Sequence, residues 1–293
     1  MMYNKIIGGI KIMYKLAIIG HPLGHSISAV IQKAGLESIG EQVQYDVLDT
    51  TAEDLVDRIK YLKTNGYQGF NVTIPLKVPV SLFLNDIDDY ANIAGCVNTV
   101  KITESKELLG YNTDIYGFKK AIPADINLSG KTAGILGTGG AARAAVVGLA
   151  EKGVKNIDFY TRNIINSHQT VNYVRAKFPN VNFNVYQIQN MRSLADTDIL
   201  VNATPIGMKG YIADQMALEP KDFDTLNPNA PVYDIVYNPT KTVLLREAEK
   251  RGFKTIGGLD MLIYQAERAI EIWTGKTPDT KLMKIAALET LNS

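Results

Sequence analysis

One stretch of twenty residues, GILGTGGAARAAVVGLAEKG (134–153), constrains the fold more than any other part of the chain. A short apolar strand, Ala133 to Leu136, runs into Gly137-Thr138-Gly139-Gly140-Ala141-Ala142 and then into a helix rich in Ala, Val and Leu. Gly137 permits the tight turn and Gly139 lets backbone approach a pyrophosphate. Ala142, in the slot of a third glycine, allows close helix–strand packing. Gly140 and Ala141 open a helix whose free N–H groups and positive dipole end suit phosphate. The glycine pattern alone also describes an ordinary tight turn. Here strand, turn and helix agree, and the segment is predicted to bind a dinucleotide.

The following strand bears on which dinucleotide. An NAD site places Asp or Glu at the end of that strand, whereas an NADP site places a basic residue nearby. IDFYTRN (157–163) ends in Thr161, Arg162 and Asn163, while Asp158 lies upstream and is expected to point into or across the sheet. Arg162 after the uncharged Thr161 favours a 2′-phosphate, hence NADP. The plain alternative is a solvated surface arginine.

Strand-like and helix-like segments alternate on both sides of this turn. Before it lie a strand at 14–20, a helix at 28–40, a strand at 42–49, a helix at 51–66 and a strand at 67–74. Thr51 and Asp54 form a variant capping box at the start of the second helix, and Gly66 ends it. From 131 a second series gives strands at 131–137, 156–162, 183–188, 198–205 and 231–237. Such alternation predicts an α/β protein of two domains, with mostly parallel sheets, the second domain Rossmann-like. The first boundary falls near Asp114 to Phe118. The helices after about 240 either complete the second sheet or return to cover the first. Residues 1–12 read as an extension ahead of the first strand.

At 293 residues the chain can hold two cores, and a net charge of +1 gives no reason to expect nucleic acid as a partner. No apolar run approaches a membrane span. Three histidines and one cysteine, Cys96, exclude a disulfide framework and a Cys-rich metal site, and point to a reduced, cytoplasmic setting.

GFNVTIPLKVP (69–79) places a lysine just beyond a strand end, between Pro75 and Pro79. Lysines at strand edges are more often simply solvated. A stiffly held amine beside a nucleotide domain, however, suits acid–base work, and burial or a neighbouring charge can tune it toward neutral pH. Asp114, in GYNTDIYGF (110–118) at the domain junction, is the candidate partner for Lys77.

Eight segments in order, GHPLGHSIS (20–28), GFNVTIPLK (69–77), AGCVNTV (94–100), GYNTDIYGF (110–118), GTGGAARA (137–144), VNATPIGM (201–208), YDIVYNPTKTVLL (233–245) and GLDMLIYQAERAIEIWTG (258–275), resemble the shikimate dehydrogenase family across nearly the whole chain. The resemblance implies an NADPH-linked enzyme interconverting 3-dehydroshikimate and shikimate in aromatic amino-acid (chorismate pathway) biosynthesis. It implies a discontinuous substrate domain, 13–115 with about 250–293, around an NADP-binding domain at 116–249. Ser26 and Ser28 are then expected to bond the substrate carboxylate, with Tyr237 reaching the same end. Thr73, Lys77, Asn98 and Asp114 surround the ring hydroxyls, and Gln265 closes the site. Asn202, Ala203, Thr204 and Met208 form a loop toward the cofactor, and Gly258 lies near the nicotinamide. Lys77 is assigned as proton donor, with Asp114 holding its charge and orientation; which member of the pair moves the proton stays open.

The chain departs from the family pattern in places. Ala29, Gln32 and Lys33 replace a proline and a His-Asn pair, Ala266-Glu267 replaces Gly-Ala, and Asn166 stands where a second basic residue is expected. These departures bear on substrate fit, quinate included, and on the cofactor. Two other readings are a quinate/shikimate dehydrogenase preferring NAD and a non-catalytic ligand-binding homologue. His25 is read as a loop anchor, His21 and His25 as no metal site, Cys96 as buried filler, and Trp273 and Tyr264 as packing. Arg143 either approaches phosphate or merely sits on the first helical turn. The protein is expected as monomer or homodimer.

Overall fold

The structure, a computed structural model, describes residues 13–24, 26–190 and 194–293, with the side chains of Asn166 and Asn190 excepted. The expectations for 1–12, for His25 and for the side chain of Asn166 lie outside the described residues.

The first sheet opens with β1 (Met13–Gly20), whose second half is an unbroken buried run, followed by α1 (Ser28–Ser38) and β2 (Gln42–Asp49). α2 (Leu55–Thr64) begins later than expected. The hydroxyl of Thr51 donates to the Asp54 carboxylate at 2.9 Å, so neither side chain caps a backbone N–H and no capping box forms. β3 (Gly69–Val72) stops two residues early. Beyond it Thr73 to Leu76 form a turn around the cis Ile74–Pro75 bond, in which Leu76 N–H donates to Thr73 O, and Ile74 faces solvent.

Four elements between 84 and 121 carry no place in the sequence reading: β4 (Asp86–Ile87), α3 (Asp89–Ala94) and the hairpin β5 (Thr99–Ile102) and β6 (Leu108–Tyr111). The sheet runs β2-β1-β3-β5-β6-β4, with β5 antiparallel to both neighbours and the other pairings parallel. α4 (Thr113–Ala121) follows, capped by the Asn112 side chain.

The second sheet comprises β7 (Thr132–Leu136), β8 (Asn156–Thr161), β9 (Asn182–Gln187), β10 (Ile199–Asn202), β11 (Val232–Asp234) and β12 (Thr255–Gly257). Every pairing is parallel, in the order β12-β11-β10-β7-β8-β9. Counted from β7 this is 3-2-1-4-5-6 read from the β9 edge, the doubly wound nucleotide-binding order. α5 (Gly140–Glu151), α6 (Ile164–Lys177) and α7 (Val243–Lys250) accompany it. β12 carries this sheet past the expected boundary near 250.

The chain then returns to the first sheet through α8 (Gly258–Thr274) and α9 (Thr280–Asn292). Leu259, Ile263, Ala266, Ile270 and Trp273 pack with Leu16, Ile31 and Leu36, so α8 and α9 cover that sheet. From Gly258 onward these helices lie against the first sheet and not the second. α4 packs on both α8 and α5, and Phe118 stacks on Tyr233 of β11 at 4.9 Å. The boundary expected at 114–118 thus falls inside a helix shared by both lobes. No described helix is long and apolar enough to cross a membrane.

Candidate active site

The carboxyl ends of the two sheets meet where the glycine turn faces the β3 turn. Lys77 lies just beyond β3, and its backbone carbonyl accepts from Val97 N–H at 2.8 Å. Its ammonium donates to Asp114 Oδ2 at 2.6 Å, with the two side chains 19% and 9% exposed. Asp114 sits in the first turn of α4, where a carboxylate is favoured by the helix dipole. The other face of the pair is the glycine turn: a Cβ added to Gly140 would stand 3.6 Å from Lys77 Cδ.

A buried polar network fixes the carboxylate. Asn98 Nδ2 donates to Asp114 Oδ1 at 2.8 Å and to Thr113 Oγ1 at 2.9 Å, while Asn98 Oδ1 accepts from the Thr113 N–H at 2.8 Å. Gln265 Oε1, on α8, lies 3.3 Å from the Thr113 hydroxyl and 3.4 Å from Asn98 Nδ2. Lys77, Asn98, Asp114 and Gln265 are therefore brought together. Thr113 joins them and carries no role in the sequence reading. Its place next to the N-cap in Asn-Thr-Asp was the available signal.

Burial alone would lower the Lys77 pKa, but the adjoining carboxylate outweighs it and holds the amine above its ordinary value. This corrects the expectation of an amine tuned toward neutrality. The charged, ammonium form of Lys77 is the one this pairing favours.

The other residues expected to contact substrate make contacts of their own elsewhere. The Ser28 N–H donates to Ser26 Oγ at 3.3 Å in the loop after β1. Thr73 packs over Gly20, where an added Cβ would lie 2.4 Å from its methyl. Tyr237 follows β11 yet packs on the cluster of Ile27, Leu259 and Ile263 in the other lobe. Gln32 donates to Asn71 Oδ1 at 3.1 Å behind the site, and its own Oε1 is buried without a hydrogen-bond partner. Asn71, absent from the expected set, also accepts from the Tyr45 hydroxyl at 2.7 Å and donates to Thr99 Oγ1 at 3.0 Å.

The Ala266 methyl lies in the core, and the Glu267 carboxylate takes Lys120 on both oxygens, at 2.9 and 2.7 Å. Both departures on α8 thus have structural partners.

The cofactor side has the features a phosphate needs. Gly137 is left-handed (φ 95°), Gly139 faces open space, and α5 starts without a side-chain cap, leaving its first N–H groups available to an anion. Thr161 is buried at the end of β8, and Arg162 beside it is exposed. The one acidic residue of that strand, Asp158, accepts from Asn184 Nδ2 of β9 at 2.8 Å and does not reach the strand end. Across the turn, Asn202 Oδ1 accepts from the Thr204 N–H and hydroxyl at 3.1 and 2.7 Å. Ala203 N–H donates to Leu136 O at 3.0 Å, and Met208 follows in the same loop, where Lys209 N–H bonds Asn238 O at 2.7 Å. Gly258 is required by packing, since a Cβ there would meet Ile235 O at 2.0 Å.

Asp234 supports this loop and was missed in the sequence. Fully buried, it accepts from Asn202 Nδ2 at 2.9 Å, from the Val236 N–H at 3.1 Å and from the Thr242 hydroxyl at 2.6 Å. Burial raises its carboxyl from 3.8 to about 6, against these hydrogen bonds, which lower it. A raised acid stabilises the fold when protonated: the contribution is full below about 3.8 and is lost as pH rises through about 6. The gap corresponds to roughly 3 kcal/mol. Asp234→Asn, whose amide can donate to Thr242 Oγ1, is expected to flatten this slope in urea unfolding between pH 4 and 7. A slope equal to that of the wild type would exclude a buried ionisation here.

The profile for the shikimate dehydrogenase substrate binding domain matches residues 18–100, and that for the shikimate 5′-dehydrogenase C-terminal domain matches 258–288. A shikimate dehydrogenase (NADP(+)) from Geobacter metallireducens is 37% identical, over 94% of this chain and 96% of its own. Among solved structures, a shikimate dehydrogenase in complex with NADP+ superposes with a TM-score of 0.87 at 36% identity, covering 96% of each chain. The Thermus thermophilus shikimate 5-dehydrogenase with NADP(H) and shikimate gives 0.82 at 33% identity, over 95% of this chain and 100% of its own. A ligand-free 5-ketofructose reductase from Gluconobacter gives 0.82 at 32%, over 96% and 98%.

Proposed function

The chain belongs to the shikimate dehydrogenase family, and from that premise we propose that it is an NADP-dependent oxidoreductase, reversibly reducing 3-dehydroshikimate to shikimate, with Lys77 and Asp114 as its acid–base pair. The observation that carries this reading is the buried 2.6 Å pair standing against the glycine turn.

NADPH bound on that turn supplies the hydride. Gly137, Gly139, Gly140 and Ala141 hold its phosphates, Thr161 and Arg162 its 2′-phosphate, and the Asn202–Met208 loop with Gly258 its nicotinamide side. On the substrate side, Ser26, Ser28 and Tyr237 hold the carboxylate, while Thr73, Asn98 and Gln265 orient the ring hydroxyls. The Lys77 ammonium gives its proton to the carbonyl oxygen as that oxygen becomes a hydroxyl, and Asp114 keeps the amine charged and aimed until then. The lobe of 13–112 with 258–293 binds substrate, 122–257 binds the cofactor, and α4 is shared. The single buried thiol, Cys96, fits a reduced cytoplasmic setting.

Shikimate with NADP+ is expected to raise absorbance at 340 nm, the wavelength of reduced nicotinamide, at a kcat/KM at least tenfold above quinate or NAD+. Arg162, and the engagement of Asp158 by Asn184, favour NADP over NAD. Faster turnover with quinate and NAD+ would move the assignment to that neighbouring activity, and tight shikimate binding without turnover would leave a binding protein.

A further inference from the structure

Arg143 has a destination that the proposed chemistry does not use. It stands one turn into α5, and its side chain is buried. Nη1 donates to the carbonyl oxygens of Ala94 at 3.3 Å and Gly95 at 3.4 Å, at the C-terminal end of α3 in the other lobe. Nη2 donates to Thr170 Oγ1 on α6 at 3.2 Å. The Tyr173 ring lies 5.2 Å from the guanidinium carbon, and its hydroxyl donates to the Asn92 carbonyl. Two helices of the cofactor lobe thus grip one helix end of the substrate lobe. Gly95 is left-handed (φ 64°), and a Cβ on it would lie 2.7 Å from Arg143 Nη1 and from a Tyr173 ring carbon.

The grip acts on the segment that holds the reacting pair. The last carbonyls of a helix lack intrahelical donors and carry the negative end of its dipole, which a buried guanidinium satisfies. The next residues along are Cys96, then Val97, whose N–H holds the Lys77 carbonyl, then Asn98, whose amide holds Asp114. At the other end of the same arginine, α5 begins with Gly140 beside the Lys77 stem.

We propose that Arg143, backed by Tyr173, is a positioning residue for hydride transfer: it fixes the Gly95–Asn98 segment, and with it Lys77 and Asp114, at one separation from the glycine turn. The kinetic part rests on the dehydrogenase reading above; the thiol measurement below does not. A displacement of about 1 Å at a reacting centre costs on the order of 10²-fold in rate. The guanidinium is committed to Ala94, Gly95 and Thr170, which also decides against a phosphate-binding role.

The test compares wild type with Arg143→Met, which keeps the stem and loses the fork, and Arg143→Lys, which keeps the charge. Cys96 is the one cysteine of the chain, is buried next to the grip, and has its thiol pushed up to about 11 by burial. Its labelling by Ellman's reagent at pH 8 is expected to be at least tenfold faster in Arg143→Met, intermediate in Arg143→Lys, and insensitive to low urea, which marks local opening. In steady state kcat is expected to fall at least tenfold with the KM for NADPH changed less than threefold. The deuterium isotope effect with NADPH labelled at the transferred position is expected to rise. Unchanged labelling, or labelling that tracks global unfolding in urea, overturns the proposal. So does a raised KM for NADPH at constant kcat, which would return Arg143 to the phosphate. A wild type that does not turn over would sink the dehydrogenase reading and leave the thiol result standing.

Discussion

Alanine at position 77 is expected to lower kcat for 3-dehydroshikimate reduction by roughly 10³-fold or more, while the protein stays folded and still binds NADPH. The size follows from what the side chain does. Reduction places charge on a carbonyl oxygen that must be protonated as the hydride arrives, and among the described residues no other cationic donor is bonded to Asp114. Water admitted by the truncation is a far weaker acid than an ammonium fixed by a 2.6 Å bond. Binding is spared because the phosphate-holding N–H groups belong to the glycine turn and the start of α5, which the substitution leaves in place. The fold is spared because the backbone carbonyl of Lys77 keeps its bond from Val97 whatever the side chain. Initial rates at 340 nm, cofactor fluorescence titration and a thermal melt check the three parts. Partial recovery with added methylamine would identify the missing group as the amine. A variant within tenfold of wild-type kcat would remove Lys77 from the proton's path.

The long, strongly patterned elements were legible in the sequence, and the short ones were not. β1, β2 and β7 to β11 were placed because each is an apolar or alternating run bounded by turn residues. The hairpin of β5 and β6 was not: TVKI and LLGY are four-residue strands, too short for a period to declare itself, and their pairing is non-local to β3. β12 shows the same limit, since Thr255–Gly257 has only three residues and its partner β11 lies some twenty residues away. Capping failed for a different reason. Thr51 and Asp54 have the right spacing, but sequence cannot tell that the hydroxyl will choose the carboxylate over a backbone N–H.

The candidate site divides along similar lines. Lys77, Asn98, Asp114 and Gln265 were named from motif segments, and they converge from the β3 turn, the residue just before β5, α4 and α8. The supporting residues Asn71 and Asp234 carry no local signal, because what defines them is burial and the partner across the fold, and Thr113 is marked only by its place beside the N-cap of α4. Arg143 is the clearest instance. Its position in the glycine-turn helix left phosphate and a plain first-turn place equally open, and only the tertiary arrangement shows its fork on the carbonyls of Ala94 and Gly95.

Asparagine in place of Asp114 is expected to give a different signature from the loss of Lys77. The amide keeps nearly the same shape and can still accept from Asn98 Nδ2, so the polar network behind the site survives. What is lost is the negative charge. Burial is the largest single influence on Lys77 and acts to lower its pKa; in the wild type the carboxylate outweighs it, and the amine stands above its ordinary value of 10.5. With the carboxylate gone, the balance reverses and the amine falls below that value. The wild-type pair contributes stability that is full below the unfolded lysine pKa and disappears as pH rises through the raised one. The variant instead becomes less stable as pH falls below the unfolded value, because the buried amine resists the proton that the unfolded chain accepts. At pH 7 the cost is roughly 2–3 kcal/mol, near the low end for a broken buried pair since Lys77 keeps some contact with water. The alkaline limb of kcat/KM is expected to move toward neutrality relative to the wild type, and kcat at pH 7 to fall on the order of 10²-fold. Rates from pH 6 to 10 with urea unfolding at pH 7 measure both effects. An alkaline limb that stays in place in Asp114→Asn would show that this carboxylate does not set the charge of Lys77.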